Sequence, residues 1–413
     1  MSDTETLFKT IEKEEASNLA LLKTWVAHNT HSYNIDGLQS FLESILPHFS
    51  KLGAMQQIIT PNPIHILDSK GQKRKQKIGP ILHLIQRPNA KKKVLLSIHM
   101  DTVFPKNSTF QTVRELSPTK WQGPGIIDAK GGLLILLKSL LAFETLPQKK
   151  DLGWEVIISS DEEIGSPCSS SLLSKRAQLC QFGMVFEPPL PDGAYVSERM
   201  GSANVSVLSR GTAAHVGRAF TSGNNAILNL CRFIDVYKQS PNMKKLLKNI
   251  EEDTHQDALS TLINIGTIIG GTASNVVPDT CVCEINIRSK THTKLLSEIN
   301  TIQNILDTLN KKTTAQLELI TDSIRPPKPF SPATKTLFKL VENCSKILKL
   351  PFSYASTGGV CDGNILAHAN CPNIDTLGPN GAGLHTQEEY LNTKSITEKI
   401  KLSTLILCHL AQA

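Results

Sequence analysis

Long apolar runs are missing from this 413-residue sequence, and aromatic residues make up only 5% of it. The most apolar stretch, "GGLLILLKSLLAFETL", is interrupted by Lys138 and Glu144 and is too short to cross a bilayer. No membrane partner is expected. The shortage of aromatics removes the stacking platform on which single-stranded nucleic acid is usually held. A net charge of +7 could still suggest such a partner. However, the clearest basic run, "KGQKRKQK" at 70–77, lies between apolar segments without aromatic interleaving. It reads as a solvated hairpin or loop, so nucleic-acid binding is not expected. The amino-terminal stretch lacks a basic region followed by an apolar core, so no secretory signal is expected. The nine cysteines are an odd, scattered set. They lack metal-knuckle spacing and predict reduced thiols in the cytoplasm. Cys281 and Cys283 stand two apart on a candidate strand, which puts both on one face and suits core packing.

What is present is an ordinary globular composition, 40% hydrophobic and 20% charged, with a length that suggests two or three domains. "QQIITPNPIHILD" and "GPILHLIQ" alternate as antiparallel strands. "KKKVLLSIHMD", "WEVIISSDEE" and "FGMVFEPP" are short apolar runs ending in polar residues, the pattern of buried parallel strands. Helical patterns between them predict a three-layer α/β domain, in which ligands collect beyond the carboxyl ends of strands. From about residue 198 the texture changes to β-α-β-β-α-β, a ferredoxin-like α+β unit, before the α/β pattern resumes. The expected division is a catalytic domain from 1–197 and 324–413, with an inserted lid and dimerisation domain at 198–323.

The polar residues at the strand ends carry the chemistry. "SIHMDTV" supplies His99 and Asp101, and "GPGIIDAKGG" supplies Asp128 in a glycine-flanked turn. "SSDEEIGS" supplies Glu162 and Glu163, "VFEPP" supplies Glu187, and "GAGLHTQEEY" supplies His385. Singly, each has a plainer reading: a structural histidine, a helix cap or a solvated acid. Together they are two histidines and a group of carboxylates whose burial without a counter-ion would cost several kcal/mol per group. One or two divalent cations remove that cost, and mixed histidine and carboxylate ligands suit zinc, with manganese or cobalt as alternatives.

Seven motifs occur in order: "HMDTV", "GPGIIDAKGG", "SSDEEIGS", "FEPP", "GTAAHVGR", "GGTASNVVP" and "GLHTQEEYL". In combination they resemble the zinc-dependent exopeptidase and amidohydrolase family of glutamate carboxypeptidase, aminoacylase, acetylornithine deacetylase and succinyl-diaminopimelate desuccinylase. The glutamate carboxypeptidase branch is the most similar. The resemblance covers nearly the whole chain. It implies two zinc ions per chain, with cobalt or manganese as substitutes. His99 and Glu187 would bind one ion, Glu163 and His385 the other, and Asp128 would bridge them. Asp101 would support His99, and Glu162 would be the general base for a metal-activated water. The resemblance also implies a cis peptide after Asp128, although Ala129 stands where many members carry an acid or a bulkier residue.

On the inserted domain the resemblance implies that Asn275 and Arg288 hold the substrate's free carboxylate. His215 would steady the oxyanion, in dimeric members from the partner subunit. Arg325 in "SIRPPKPF" would help receive an acidic side chain, though by itself it reads equally as a linker arginine held by prolines. A second basic residue used for that purpose after "FEP" is not evident here. The expected activity is hydrolysis of an amide or peptide bond next to a free carboxylate, in a small molecule or short peptide, by a homodimeric cytoplasmic enzyme. Two other readings stay open: an N-acyl-amino-acid deacylase, and a catalytically silent binding protein that keeps the fold.

Overall fold

The computed structural model describes residues 2–68, 70–252 and 259–412, with residues 2–4 described by backbone alone. Its central sheet has six strands in the order Met55–Ile59, Ile81–Gln86, Gly153–Ser159, Lys93–His99, Phe182–Val185 and Asn373–Ile374. The last four run parallel, and the first two are antiparallel additions at one edge. Every residue of Gly153–Ser159 is buried, which is why its sequence is almost uniformly apolar.

Helices cover both faces of this sheet. Gly131–Phe143 is apolar nearly all round and buried except at Lys138 and Leu141, packed on Lys394–Gln412. At Gly132 a side chain would meet the Phe186 carbonyl at 2.0 Å, so glycine lets this helix press against the segment that carries Glu187. Each fully buried leucine on this helix contributes roughly 1.5–3 kcal/mol of transfer free energy. Ser169–Ala177 and Asp362–His368 cover the other face. This three-layer arrangement places the carboxyl ends of Lys93–His99, Gly153–Ser159 and Phe182–Val185 at one rim.

The chain leaves this rim at Gly201 to form a four-stranded antiparallel sheet, ordered Thr261–Gly270, Thr280–Ser289, Gly201–Arg210 and Gln316–Arg325. Helices Ala226–Tyr237 and His292–Lys312 cover one face and enclose a core of their own. The β-α-β-β-α-β order is ferredoxin-like. Cys281 and Cys283 lie together in that core, fully buried. The opposite face of this sheet looks back toward the catalytic domain. A hairpin of Ile64–Leu67 and Lys73–Gln76 rises from the catalytic domain to meet it. The hairpin tip is tied to the lid, where the Arg210 guanidinium donates to the Gly71 carbonyl at 3.1 Å.

The amino-terminal amphipathic segment is two helices, Ser2–Lys13 and Glu15–Val26. Among the described residues no helix is long and apolar enough to cross a membrane.

Candidate metal centre

His99 ends its strand 1% exposed, with Nδ1 donating to the main-chain carbonyl of Asp101 at 2.9 Å. The Asp101 carboxylate stands slightly farther from Nδ1, at 3.4 Å. That bond fixes the tautomer and leaves Nε2 facing Asp128 Oδ1 at 3.0 Å and Glu187 Oε1 at 3.6 Å. A nitrogen lone pair facing two carboxylates needs a positive charge between them, either a proton or a metal ion.

Asp128 sits in the turn before the Gly131–Phe143 helix, and the Asp128–Ala129 peptide is cis. The Glu389 carboxylate holds this turn by accepting the N–H groups of Gly125, Ile127 and Asp128 at 3.0, 2.9 and 3.2 Å. So fixed, Asp128 places one oxygen on His99 and the other 3.2 Å from His385 Nε2. Burial opposes its charge, but the two imidazoles outweigh burial and hold its carboxyl well below the usual range. Asp128 therefore stands between the two histidines.

The acidic triplet divides into three tasks. Asp161 turns away and accepts the N–H groups of Cys168 and Ser169 at 2.7 and 3.0 Å, at the start of the Ser169–Ala177 helix. The main-chain N–H groups of Glu162 and Glu163 donate to the two Asp101 oxygens, each at 3.2 Å. Asp101 also accepts from the Ser32 hydroxyl at 2.8 Å. Glu163 places Oε2 3.3 Å from His385 Nε2. Glu162 instead meets Arg325, whose guanidinium donates to its carboxylate at 2.5 Å and its carbonyl at 2.6 Å.

The donor set fits a divalent cation. Ligand atoms of His99, Asp128 and Glu163 lie within 4.8 Å of one another. Glu163 Oε1 and Glu187 Oε1 are buried and have no hydrogen-bond donor. Burial, reinforced by Asp128, pushes Glu163 up to about 8, and burial pushes Glu187 up to about 7. Three converging carboxylates are balanced by only two imidazoles, and positive charge placed among them satisfies the orphaned oxygens.

From the lid, Arg288 reaches this centre. It donates to the Gly358 carbonyl at 2.5 Å and to Asn286 at 3.1 Å. With Glu162, Glu163, Asn286, Arg325 and His385 it lines a pocket of about 350 Å³. His215 and Asn275 lie together elsewhere, where the Ala214–His215 strand pairs with Val276–Val277 and Val216 N–H donates to the Asn275 carbonyl. His215 is exposed, and neither residue lines the pocket. Arg325 is 5% exposed, so it is a buried partner of Glu162 rather than a linker arginine in solvent.

Two contributors escaped sequence reasoning. Glu389 follows Glu388 in "HTQEEY", and nothing local distinguishes the acid that clamps the Asp128 turn from its neighbour. Asp362, the first residue of a short helix, accepts from Ser166 at 2.5 Å and lies 3.7 Å from Arg325, so it braces the arginine from behind.

The model of peptidase family M20/M25/M40 matches residues 95–409. Carboxypeptidase G2 of Pseudomonas sp. (strain RS-16) is 26% identical over 332 residues, covering 77% of this chain and 74% of the relative. A succinyl-diaminopimelate desuccinylase of Nitrosospira multiformis is 24% identical over 294 residues, covering 69% and 73%. Among solved structures, the dipeptidase Dug1p of Saccharomyces cerevisiae superposes with a TM-score of 0.74 at 14% identity, covering 99% of both chains. Human carnosine dipeptidase 1 gives 0.69 at 16% identity, covering 99% of this chain and 100% of the other. These structural likenesses bear on the fold alone. With the family model spanning most of the sequence, the chain belongs to peptidase family M20/M25/M40.

Proposed function

We propose that this hydrolase cuts an amide or peptide bond next to a free carboxylate and releases an amino acid. The observation that carries the reading is Asp128 standing between His99 and His385 at 3.0 and 3.2 Å, in a pocket that also holds Glu162 and Arg288. His99 and Glu187 would hold one zinc, Glu163 and His385 a second, and Asp128 both, with cobalt or manganese as substitutes. When bound, these ions polarise a carbonyl and make water more acidic.

The chain's own residues do the rest. Glu162 takes a proton from the attacking water and delivers it to the leaving amine, as general acid–base catalysis requires. Arg325 aims Glu162 by gripping its carboxylate and its main chain. Arg288 receives the substrate carboxylate, which suits its planar fork. Asp101 orients His99 and the Glu162–Glu163 backbone together.

His215 and Asn275 complete the site from a second copy of the chain. The edge strand Thr261–Gly270 exposes Ile268 and Ile269, and the helix Ala226–Tyr237 exposes Leu228 and Val236, which supports a homodimer through the 198–323 domain. All nine cysteines are unpaired, in keeping with a cytoplasmic location.

The test is amine release by the zinc-loaded chain across N-acyl amino acids and peptides. Turnover of substrates with a free carboxylate, and none of their amides, is expected. Hydrolysis of acyl amino acids but of no peptide would favour the deacylase reading. Metal binding without any turnover would favour a silent binding protein.

A further inference from the structure

A cavity of about 720 Å³ adjoins the metal pocket, and Ile164, Asn204 and Asn286 line both. Its roof is the hairpin, through Ile64, Ile66 and Leu67, together with Tyr33. Its floor is the open face of the lid sheet. Strand alternation sends Cys283, Ile285 and Ile287 into the lid core and leaves Glu284, Asn286 and Arg288 on the open face. Asn204 and Ser206 stand opposite Asn286 and Glu284 on the neighbouring strand.

The floor is thus a polar ladder with a direction. Arg288 faces the metal pocket, the Asn286–Asn204 pair, bonded at 2.7 Å, marks the passage, and Glu284 lies in the outer cavity. Asp322 joins Glu284 there. Each accepts a hydrogen bond from a neutral hydroxyl, Thr267 to Glu284 at 2.7 Å and Ser206 to Asp322 at 2.8 Å. Among the described residues that line the cavity there is no lysine or arginine. Burial, with Glu284 adding repulsion, raises the Asp322 carboxyl above its ordinary value, a cost that a cation beside it would relieve.

We propose that this cavity is the acyl-side extension of the substrate site, and that it takes a short peptide whose protonated amino terminus is received by Glu284 and Asp322. The inference rests on the reading of the metal pocket as a hydrolase site with the free carboxylate at Arg288. A substrate held there and cleaved beside Glu162 runs its acyl portion past Asn286 toward Glu284. Four strand steps separate Arg288 from Glu284, about 13 Å. An extended chain covers roughly 3.3–3.6 Å per residue, so three or four residues fill the distance. A dipeptide or an acetylated amino acid stops short of the acids. The Asn204 amide keeps one N–H, and the Asn204 and Asn286 oxygens keep acceptor capacity, for a peptide backbone, and the hairpin's apolar residues cover its side chains.

The experiment measures kcat/KM of the zinc-loaded full chain on an N-acetyl amino acid, a tripeptide with that same carboxyl-terminal residue, and the N-acetylated tripeptide. The free tripeptide is expected to exceed both others by tenfold or more. In Glu284→Gln/Asp322→Asn the ratio of free to acetylated tripeptide should fall toward one. Leu67→Trp, which fills the roof, should lower the ratio of tripeptide to N-acetyl amino acid. Equal kcat/KM on all three substrates, or ratios unmoved in both variants, would overturn the inference and leave the hydrolase reading intact. Absence of turnover on every substrate would overturn both.

Discussion

Arg325 reaches Glu162 across 163 residues of sequence and grips it at two places, carboxylate and carbonyl, while Ser166 accepts a third bond from the same guanidinium at 2.7 Å. With Asp362 behind it, both terminal nitrogens of this guanidinium are engaged around one acid, while the buried Nε has no partner. Family resemblance implies a role toward a substrate side chain, whereas we propose from its bonds to Glu162 that it aims the proposed base. Arg325→Ala is therefore expected to lower kcat about tenfold or more on acidic and neutral substrates alike, because removing one partner of a buried charged pair costs roughly 2–5 kcal/mol. Steady-state kinetics on substrates ending in glutamate and in leucine checks this. A loss confined to the glutamate substrate would return the arginine to side-chain recognition.

Glu162 and Glu163 are neighbours with different partners, so the same amide substitution should separate them. Glu162→Gln is expected to keep its metal and lose about 10²–10⁴-fold in kcat, the usual worth of a positioned base. Glu163→Gln should lose metal affinity first. Elemental analysis beside turnover distinguishes the two.

Glu389 touches no proposed ligand atom but holds the turn that presents Asp128. Glu389→Gln keeps the shape and forfeits acceptor capacity toward Gly125, Ile127 and Asp128. Metal affinity should fall about 10–100-fold, as for other groups that orient ligands. Competition with a chelator of known affinity measures it.

Asp375 lies fully buried between Arg199 at 2.7 Å and Lys328 at 2.8 Å. Burial opposes its charge, but the two cations outweigh burial and hold its carboxyl down to about 2. A carboxyl depressed on folding contributes stability that is complete above its unfolded value, near 4, and is lost as pH falls toward the folded value. Asp375→Asn leaves two buried cations uncompensated and should cost roughly 3–5 kcal/mol. Urea unfolding at pH 7 should show the full difference between variant and parent, and at pH 3 a smaller one.

The sequence was most informative where chemistry coincides with a strand end. "SIHMD", "SSDEE" and "FEPP" each close a buried parallel strand, so the residues after the apolar run had to meet at one rim, and they do. It was least informative where function depends on a return from far along the chain, as with Glu389 and Arg325. Local punctuation also mattered. "QQIITPNPIHILD" alternates like one strand, but its prolines lack the N–H a ladder needs. The structure breaks there into Met55–Ile59 and Ile64–Leu67, and the second piece becomes the hairpin over the lid. Tyr354–Thr357 is short and largely exposed, so no periodicity marked it as a strand beside Tyr195–Arg199.

The interrupted course of the catalytic domain has a consequence for the order of assembly during synthesis. The lid sheet has its last strand once Arg325 has emerged, whereas the central sheet waits for Asn373–Ile374, and the histidine that faces Asp128 and Glu163 comes later still, at 385. The inserted unit can therefore settle on the ribosome while its host is incomplete, since domains generally fold as units. Until the carboxyl-terminal segment docks, Asp128 and Glu163 face water without their shared imidazole. A ribosome stalled so that Arg325 has emerged and Asn373 has not should carry a protease-resistant lid on a protease-sensitive base.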